Sequence, residues 1–236
     1  MSSVLLVAHG SRDPAAGRTV ESLARAVRQR LGGTPVGVAY LDHGSPDVPT
    51  ALARLGPGHT VVVPMLLAEG YHSRVDLPGL VQSGHADADV APVLGPDPLL
   101  VEAVDRRLRE AGSWPGDAVV VLAAAGSSES AAQGSTQWIA DRLSGRGWSV
   151  VRPAYLSAAA PSVPEAVGAL RAEGHRRVVV ASYLLSPGRF QSALAGVGAD
   201  VVTRPLGAAP EVVDLVLARV HALTRAGWPR SRRAVG

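Results

Sequence analysis

The feature that most constrains this chain is that it repeats itself. Four stretches of the first half return, in the same order, in the second. VAHGS at Val7–Ser11 matches AAAGS at Ala123–Ser127, and AYLDHGSPDVP at Ala39–Pro49 matches AYLSAAAPSVP at Ala154–Pro164. GHTVVVPMLLAEGYH at Gly58–His72 matches GHRRVVVASYLLSPGRF at Gly174–Phe190 with a small insertion, and LGPDP at Leu94–Pro98 matches LGAAP at Leu206–Pro210. Ordered self-similarity of this kind marks a duplicated structural unit. A length of 236 residues accommodates two units of about 100 residues each. The Gly/Pro-rich GSWPG at Gly112–Gly116 reads as the link. The expected organisation is one lobe over 1–113, a second over 117–228, a cleft between them, and a flexible basic tail over 229–236.

Each half alternates short Val-rich runs with helix-like segments. Strands are expected at Ser3–Ala8, Val36–Leu41, Thr60–Pro64 and Asp89–Val93, with helices at Ala15–Leu31, Asp47–Leu55, Asp76–Gln82 and Pro98–Ala111. The second half gives strands at Ala118–Ala124, Val150–Leu156, Arg177–Ser182 and Ala199–Arg204, with helices at Ala131–Leu143, Val163–Ala172 and Glu211–Arg225. Runs apolar on both faces suit parallel strands covered by helices. The fold class is therefore α/β, with two duplicated lobes, each a parallel sheet flanked by helices.

Composition excludes several chemistries. There is no cysteine, so disulfides and thiolate metal sites are ruled out for this chain. Every basic residue is arginine, which removes Schiff-base and P-loop lysines. The net charge of +3 owes much to Arg225, Arg230, Arg232 and Arg233 near the end, with no basic stripe elsewhere, so nucleic acid is not an expected partner. No run approaches the ~18 apolar residues of a membrane span. The apolar run in MSSVLLVAHG lacks a basic leader and reads as a strand, so a cytoplasmic location is expected.

The repeat also exposes what the halves do not share. His9 faces Ala125, Asp42 faces Ser157, and His72 faces Phe190. His9 and Asp42 follow the first two strands and His72 lies on the loop after the third, so all three project to the carboxyl end of one sheet, where α/β folds bind ligands. Imidazole with carboxylate suits Fe²⁺, Co²⁺, Ni²⁺ or Zn²⁺ better than Mg²⁺ or Ca²⁺. Singly, each has a plainer reading: His9 or His72 as a loop hydrogen-bonder, Asp42 as a turn residue. Their convergence on three strand ends favours chemistry. His59 and His175 precede strands and read as structural, His85 and His221 read as surface residues, and His43 adjoins Asp42. The Gly-Ser turn of HGSRDP, with Ser11, opens toward a helix N-terminus suited to anions. Arg12 and Arg74 are either surface charges or bidentate partners for carboxylates.

VLLVAHGSRDP, AYLDHGSPDVP and VPMLLAEGYHSRVDLP together resemble the sirohydrochlorin chelatase and anaerobic cobaltochelatase family in its long, two-lobed form. The resemblance spans nearly the whole chain. It implies a chelatase-like fold and insertion of Fe²⁺ or Co²⁺, in some members Ni²⁺, into sirohydrochlorin without ATP, for sirohaem or cobalamin. The metal is then a substrate, and no permanently bound cofactor is expected. The family's two histidines fall on His9 and His72, and its acidic residue, usually Glu, falls on Asp42, one methylene shorter. These three would handle the metal, with His9 and His72 also accepting pyrrole protons, since imidazole titrates near neutral pH. Ser11, Arg12, Tyr71, Arg74 and Arg189 are the expected contacts to the carboxylate-rich tetrapyrrole. A monomer is expected, because one chain supplies both lobes. A non-catalytic tetrapyrrole or metal carrier is the alternative. A hydrolase or phosphoryl-transfer enzyme is disfavoured, for the chain has no P-loop, no G-x-S-x-G and no G-x-G-x-x-G.

Overall fold

The computed structural model describes residues 2–84 and 87–225. The tail expected at 229–236, with Arg230, Arg232 and Arg233, and the surface assignment of His85 lie outside these residues.

The first half runs β1 (Ser3–Ala8), α1 (Pro14–Leu31), β2 (Val36–Tyr40), α2 (Val48–Leu55), β3 (Thr60–Pro64), α3 (Leu77–Gly84), β4 (Ala88–Val90) and α4 (Pro98–Glu110). The second runs β5 (Val119–Ala124), α5 (Ser130–Ser144), β6 (Val151–Tyr155), α6 (Val163–Ala172), β7 (Val178–Tyr183), α7 (Arg189–Ala193), β8 (Val201–Val202) and α8 (Pro210–Arg225). Asp13, Asp47 and Asp97 each accept a backbone N–H at a helix start with proline in the first turn, so the Asp-Pro pairs at Asp13 and Asp97 and the Asp-Val-Pro at Asp47 are helix caps. The last strands, β4 and β8, are shorter than expected. Short helix α7 occupies a stretch for which the sequence pattern suggested no element, because its five residues bury nothing and carry no periodicity.

The strands form two all-parallel sheets, ordered β2-β1-β3-β4 and β6-β5-β7-β8. Ser3 pairs with Thr60 in one, and Val119 with Val178 in the other, so the two extra residues of the second copy fall before β7. The central strands SVLLVA and VVVLAA are buried at every position, as strands covered on both faces must be. Alternate side chains point opposite ways. Val4, Leu6, Val120 and Leu122 enter one large core shared by the two sheets, whereas Leu5, Val7, Val119 and Val121 enter two smaller outer cores.

The shared core is filled by a layer of helices, in which α1 packs on α8, α8 on α4, and α4 on α5. Within it the last helix of each half crosses over: α4 packs against β7, and α8 packs against β3. One equivalent arginine on each helix fixes the exchange. Arg107 of α4 donates from Nε to Pro205 O (2.9 Å) and from its terminal nitrogen to Leu206 O. Arg219 of α8 donates from Nε to Val93 O (3.1 Å) and from its terminal nitrogen to Leu94 O (2.9 Å). Each half of the sequence therefore lends a helix to the other half's sheet. Trp148, fully buried, donates to Asp105 (2.8 Å) and ties α4 to the second half again.

Candidate active site at the carboxyl ends of the first sheet

His9 stands one residue past β1. Its carbonyl accepts from Asp42 N (2.9 Å), and Ser11 N donates to His43 O (2.8 Å). Between these bonds Gly10 has φ +100°, and a Cβ there would run into the His43 carbonyl. Glycine is thus required for the loop after β1 to be stitched to the loop after β2, and this stitching sets the position of His9.

His72 does not lie on a loop, as the sequence suggested. It opens a π-helical turn, His72–Asp76, closed by Leu77 N donating to His72 O, and this turn runs straight into α3. Ser73 Oγ bonds to Gly70 N (3.0 Å) and Gly70 O (2.9 Å) and pins the start of the turn. The turn brings the His72 ring to the His9 ring, with centroids 4.8 Å apart and an edge-on angle of 67°. His72 Nδ1 is 2.6 Å from Asp76 Oδ2. Both histidines are exposed and accessible.

Asp42 is stitched to His9 through its backbone, but its carboxylate lies 3.4 Å from His43 Nδ1. Among the described residues no group of three or more His, Asp or Glu side chains is gathered as a metal cage. The site is a pair of imidazoles, open on one side, with Asp42 on the adjoining loop.

The loops of the second lobe close the other side. Ser11 Oγ accepts from Asp13 N (3.1 Å) and faces Gly188, where a Cβ would come within 3.1 Å of it. Arg74, two residues past His72, is ion-paired with Glu129 at the start of α5. Tyr183 donates its buried hydroxyl to Leu67 O (3.3 Å), and burial pushes that hydroxyl's pKa up. Tyr71 projects into solvent at 62% exposure beside His72, and Arg12 and Arg189 are exposed. In the second lobe the positions of the imidazoles hold Ala125 and Phe190, and Ser157 donates its hydroxyl to Ala125 O (2.9 Å). The loop architecture is retained there without the imidazoles and the carboxylate. His59 is buried at the amino end of β3 and bonded to Asp89 (3.0 Å), in keeping with a structural role.

Two residues of this region escaped the sequence reading. Asp76 was signalled by its i, i+4 spacing from His72, which places two helical side chains on one face. Glu129 occupies the repeat position of Asp13, but only the tertiary contact brings it to Arg74.

A model of the CbiX family matches residues 3–111 and 119–223, both halves of the duplication. The chain is 28% identical over 198 residues to a sirohydrochlorin ferrochelatase of Priestia megaterium, covering 80% of this chain and 74% of that protein. It is also 28% identical over 204 residues to a sirohydrochlorin cobaltochelatase of the same organism, covering 80% of this chain and 65% of that protein. SirB from Bacillus subtilis, solved with Fe³⁺, shares the fold with a TM-score of 0.81 at 24% identity over 93% of this chain and 94% of its own. Two matched halves, two parallel sheets and an exchanged helix pair thus lead to one conclusion: the chain belongs to the CbiX family of sirohydrochlorin chelatases, in its long, two-lobed form.

Proposed function

We propose that this chain inserts a divalent metal, Fe²⁺ or Co²⁺, into sirohydrochlorin, with His9 and His72 receiving the metal and accepting the displaced protons. The observation that carries this reading is the meeting of the two imidazole rings at 4.8 Å on an exposed, open edge of the sheet. Insertion exchanges two pyrrole N–H protons for one metal ion. A metal that is a substrate must leave its site, so an open two-imidazole site suits transfer better than a closed four-ligand cage would. Neutral imidazole binds such metals and also accepts protons near neutral pH. Asp42, on the loop stitched to His9, completes the coordination or orients an imidazole once metal arrives. Ser11, Arg12, Tyr71, Arg74 and Arg189 surround the cleft between the lobes and contact the tetrapyrrole, the arginines through its carboxylates. The protein works as a monomer.

The test is an anaerobic spectrophotometric assay of sirohydrochlorin with Fe²⁺ or Co²⁺, run beside a His9→Ala, His72→Ala double variant. Conversion faster than the uncatalysed reaction, lost in the variant, is expected, and the faster metal names the substrate. The loosely gathered Asp42 is the observation that favours a carrier instead. Wild-type protein that binds the pigment yet never exceeds the uncatalysed rate would establish that reading.

A further inference from the structure

The two copies of the repeat differ in length at one place near the site. In the first lobe six residues, 71–76, separate Gly70 from Leu77; in the second, five residues, 189–193, separate the equivalent Gly188 from Leu194. Both leucines are fully buried and anchor the outer core of their own lobe, so the ends of the two turns are fixed alike. The extra residue of the first lobe is absorbed as the π-helical turn His72–Asp76, whereas the shorter stretch makes the ordinary helical turn α7. A π-turn is a costly local geometry that persists mainly at functional sites.

What the longer turn contains, and the shorter one lacks, is a histidine with a carboxylate. His72 and Asp76 are bonded Nδ1 to Oδ2 at 2.6 Å. The five residues of the shorter turn, RFQSA, hold neither group, and Gln191 among them is turned back to the sheet, donating to Thr203 O (3.1 Å). Asp76 bonds to His72 and, among the described residues, to no other side chain. Its side chain is 34% exposed, so the fold does not demand a carboxylate there. An ionised carboxylate only accepts, so this bond is made with the proton on Nδ1, and in a neutral ring that leaves the lone pair on Nε2.

We propose that Asp76 is a positioning residue for metal handling: it holds the His72 ring with Nδ1 protonated and Nε2 bare, the tautomer that accepts a divalent cation. Carboxylate–imidazole–metal arrangements orient the ring and raise its basicity as a ligand. The inference rests on the reading of His72 as a metal-handling residue and adds a role for a side chain outside the three expected ones.

The experiment uses the full-length chain labelled with ¹⁵N, wild type beside Asp76→Ala and Asp76→Asn. Long-range ¹H–¹⁵N spectra at mildly alkaline pH report the His72 tautomer in the metal-free protein. Titration with Co²⁺ alone reports affinity, and the anaerobic insertion assay reports rate. Asp76→Ala is expected to move His72 to the Nε2–H tautomer and to weaken Co²⁺ binding and insertion about 10- to 100-fold. Asp76→Asn keeps an acceptor, so it should retain the wild-type tautomer and most of the affinity; if the alanine variant does not fold, the wild-type spectrum carries the test, because an Nε2–H tautomer of His72 there would overturn the proposal. Unchanged tautomer and unchanged Co²⁺ affinity in both variants would overturn the proposal. Wild-type protein that never accelerates insertion would instead refute the proposed function, while the tautomer and Co²⁺ readings still decide the role of Asp76.

Discussion

Replacing Arg107 with methionine should destabilise the whole molecule, not one half of it. The side chain is 7% exposed. Its guanidinium donates to the carbonyls of Pro205 and Leu206, in the loop that leads into α8. Hydrogen bonds from a charged donor contribute about 1.5–3 kcal/mol each, so the two together are worth roughly 3–6 kcal/mol. Glu110 also loses the Arg107 bond, but it keeps Arg204 at 2.9 Å and is not left as an unpaired charge, so nothing further is added. In a chain of this size each kcal/mol moves the melting point by about 2–4 °C, which gives a fall of roughly 6–24 °C. The equivalent Arg219→Met should cost less, because that side chain is 20% exposed and water can reach the carbonyls it leaves. Differential scanning calorimetry is the assay. A single transition is expected for wild type and both variants, because α4 and α8 each pack on the other half's sheet. Two separate transitions, or a shift under about 2 °C for Arg107→Met, would refute the crossed-helix account of stability.

Other outcomes follow from the site and its surroundings. Gly10→Ala should cost about 2–4 kcal/mol, from the left-handed backbone and loss of the Ser11 to His43 bond, and should slow metal insertion more than it lowers the melting point, because it displaces His9. Glu129→Gln should change stability by less than about 1 kcal/mol yet lower the KM for the carboxylate-rich substrate by freeing Arg74; an unchanged or higher KM would remove Arg74 from the contacts. Acid should destabilise the molecule through Asp200 in the second lobe, whose pKa is held down by the Val178 N–H and then by Arg171. A depressed folded pKa gives stability that is present above the unfolded value of about 4 and lost as pH falls below it. Melting curves should therefore be flat from neutral pH to about pH 5 and fall below that, less steeply in Asp200→Asn.

Much of this was legible in the residues themselves. The duplication, the parallel strands and the convergence of His9 and His72 on neighbouring strand ends all come from local pattern: runs buried on both faces, Asp-Pro helix caps, and repeats that keep their order. Each depends on a residue's own neighbours in the chain, so sequence order carries it. Asp76 was within reach of the same reasoning through its spacing from His72, but the π-turn that brings the two together depends on an extra residue caught between a fixed glycine and a fixed core leucine.

Partner choice lay beyond the sequence. The apolar faces of α4 and α8 say that these helices are buried, not which sheet covers them. Arg107 and Arg219 answer the question, but only once Pro205–Leu206 and Val93–Leu94 are seen beside them. In the same way only the fold sets Glu129 against Arg74 and brings the Asp42 carboxylate next to His43. Hydrophobic period and capping are set by covalent neighbours and survive in one dimension. Which buried face meets which, and which charges meet across a cleft, is decided when the two lobes pack, and only the tertiary structure records it.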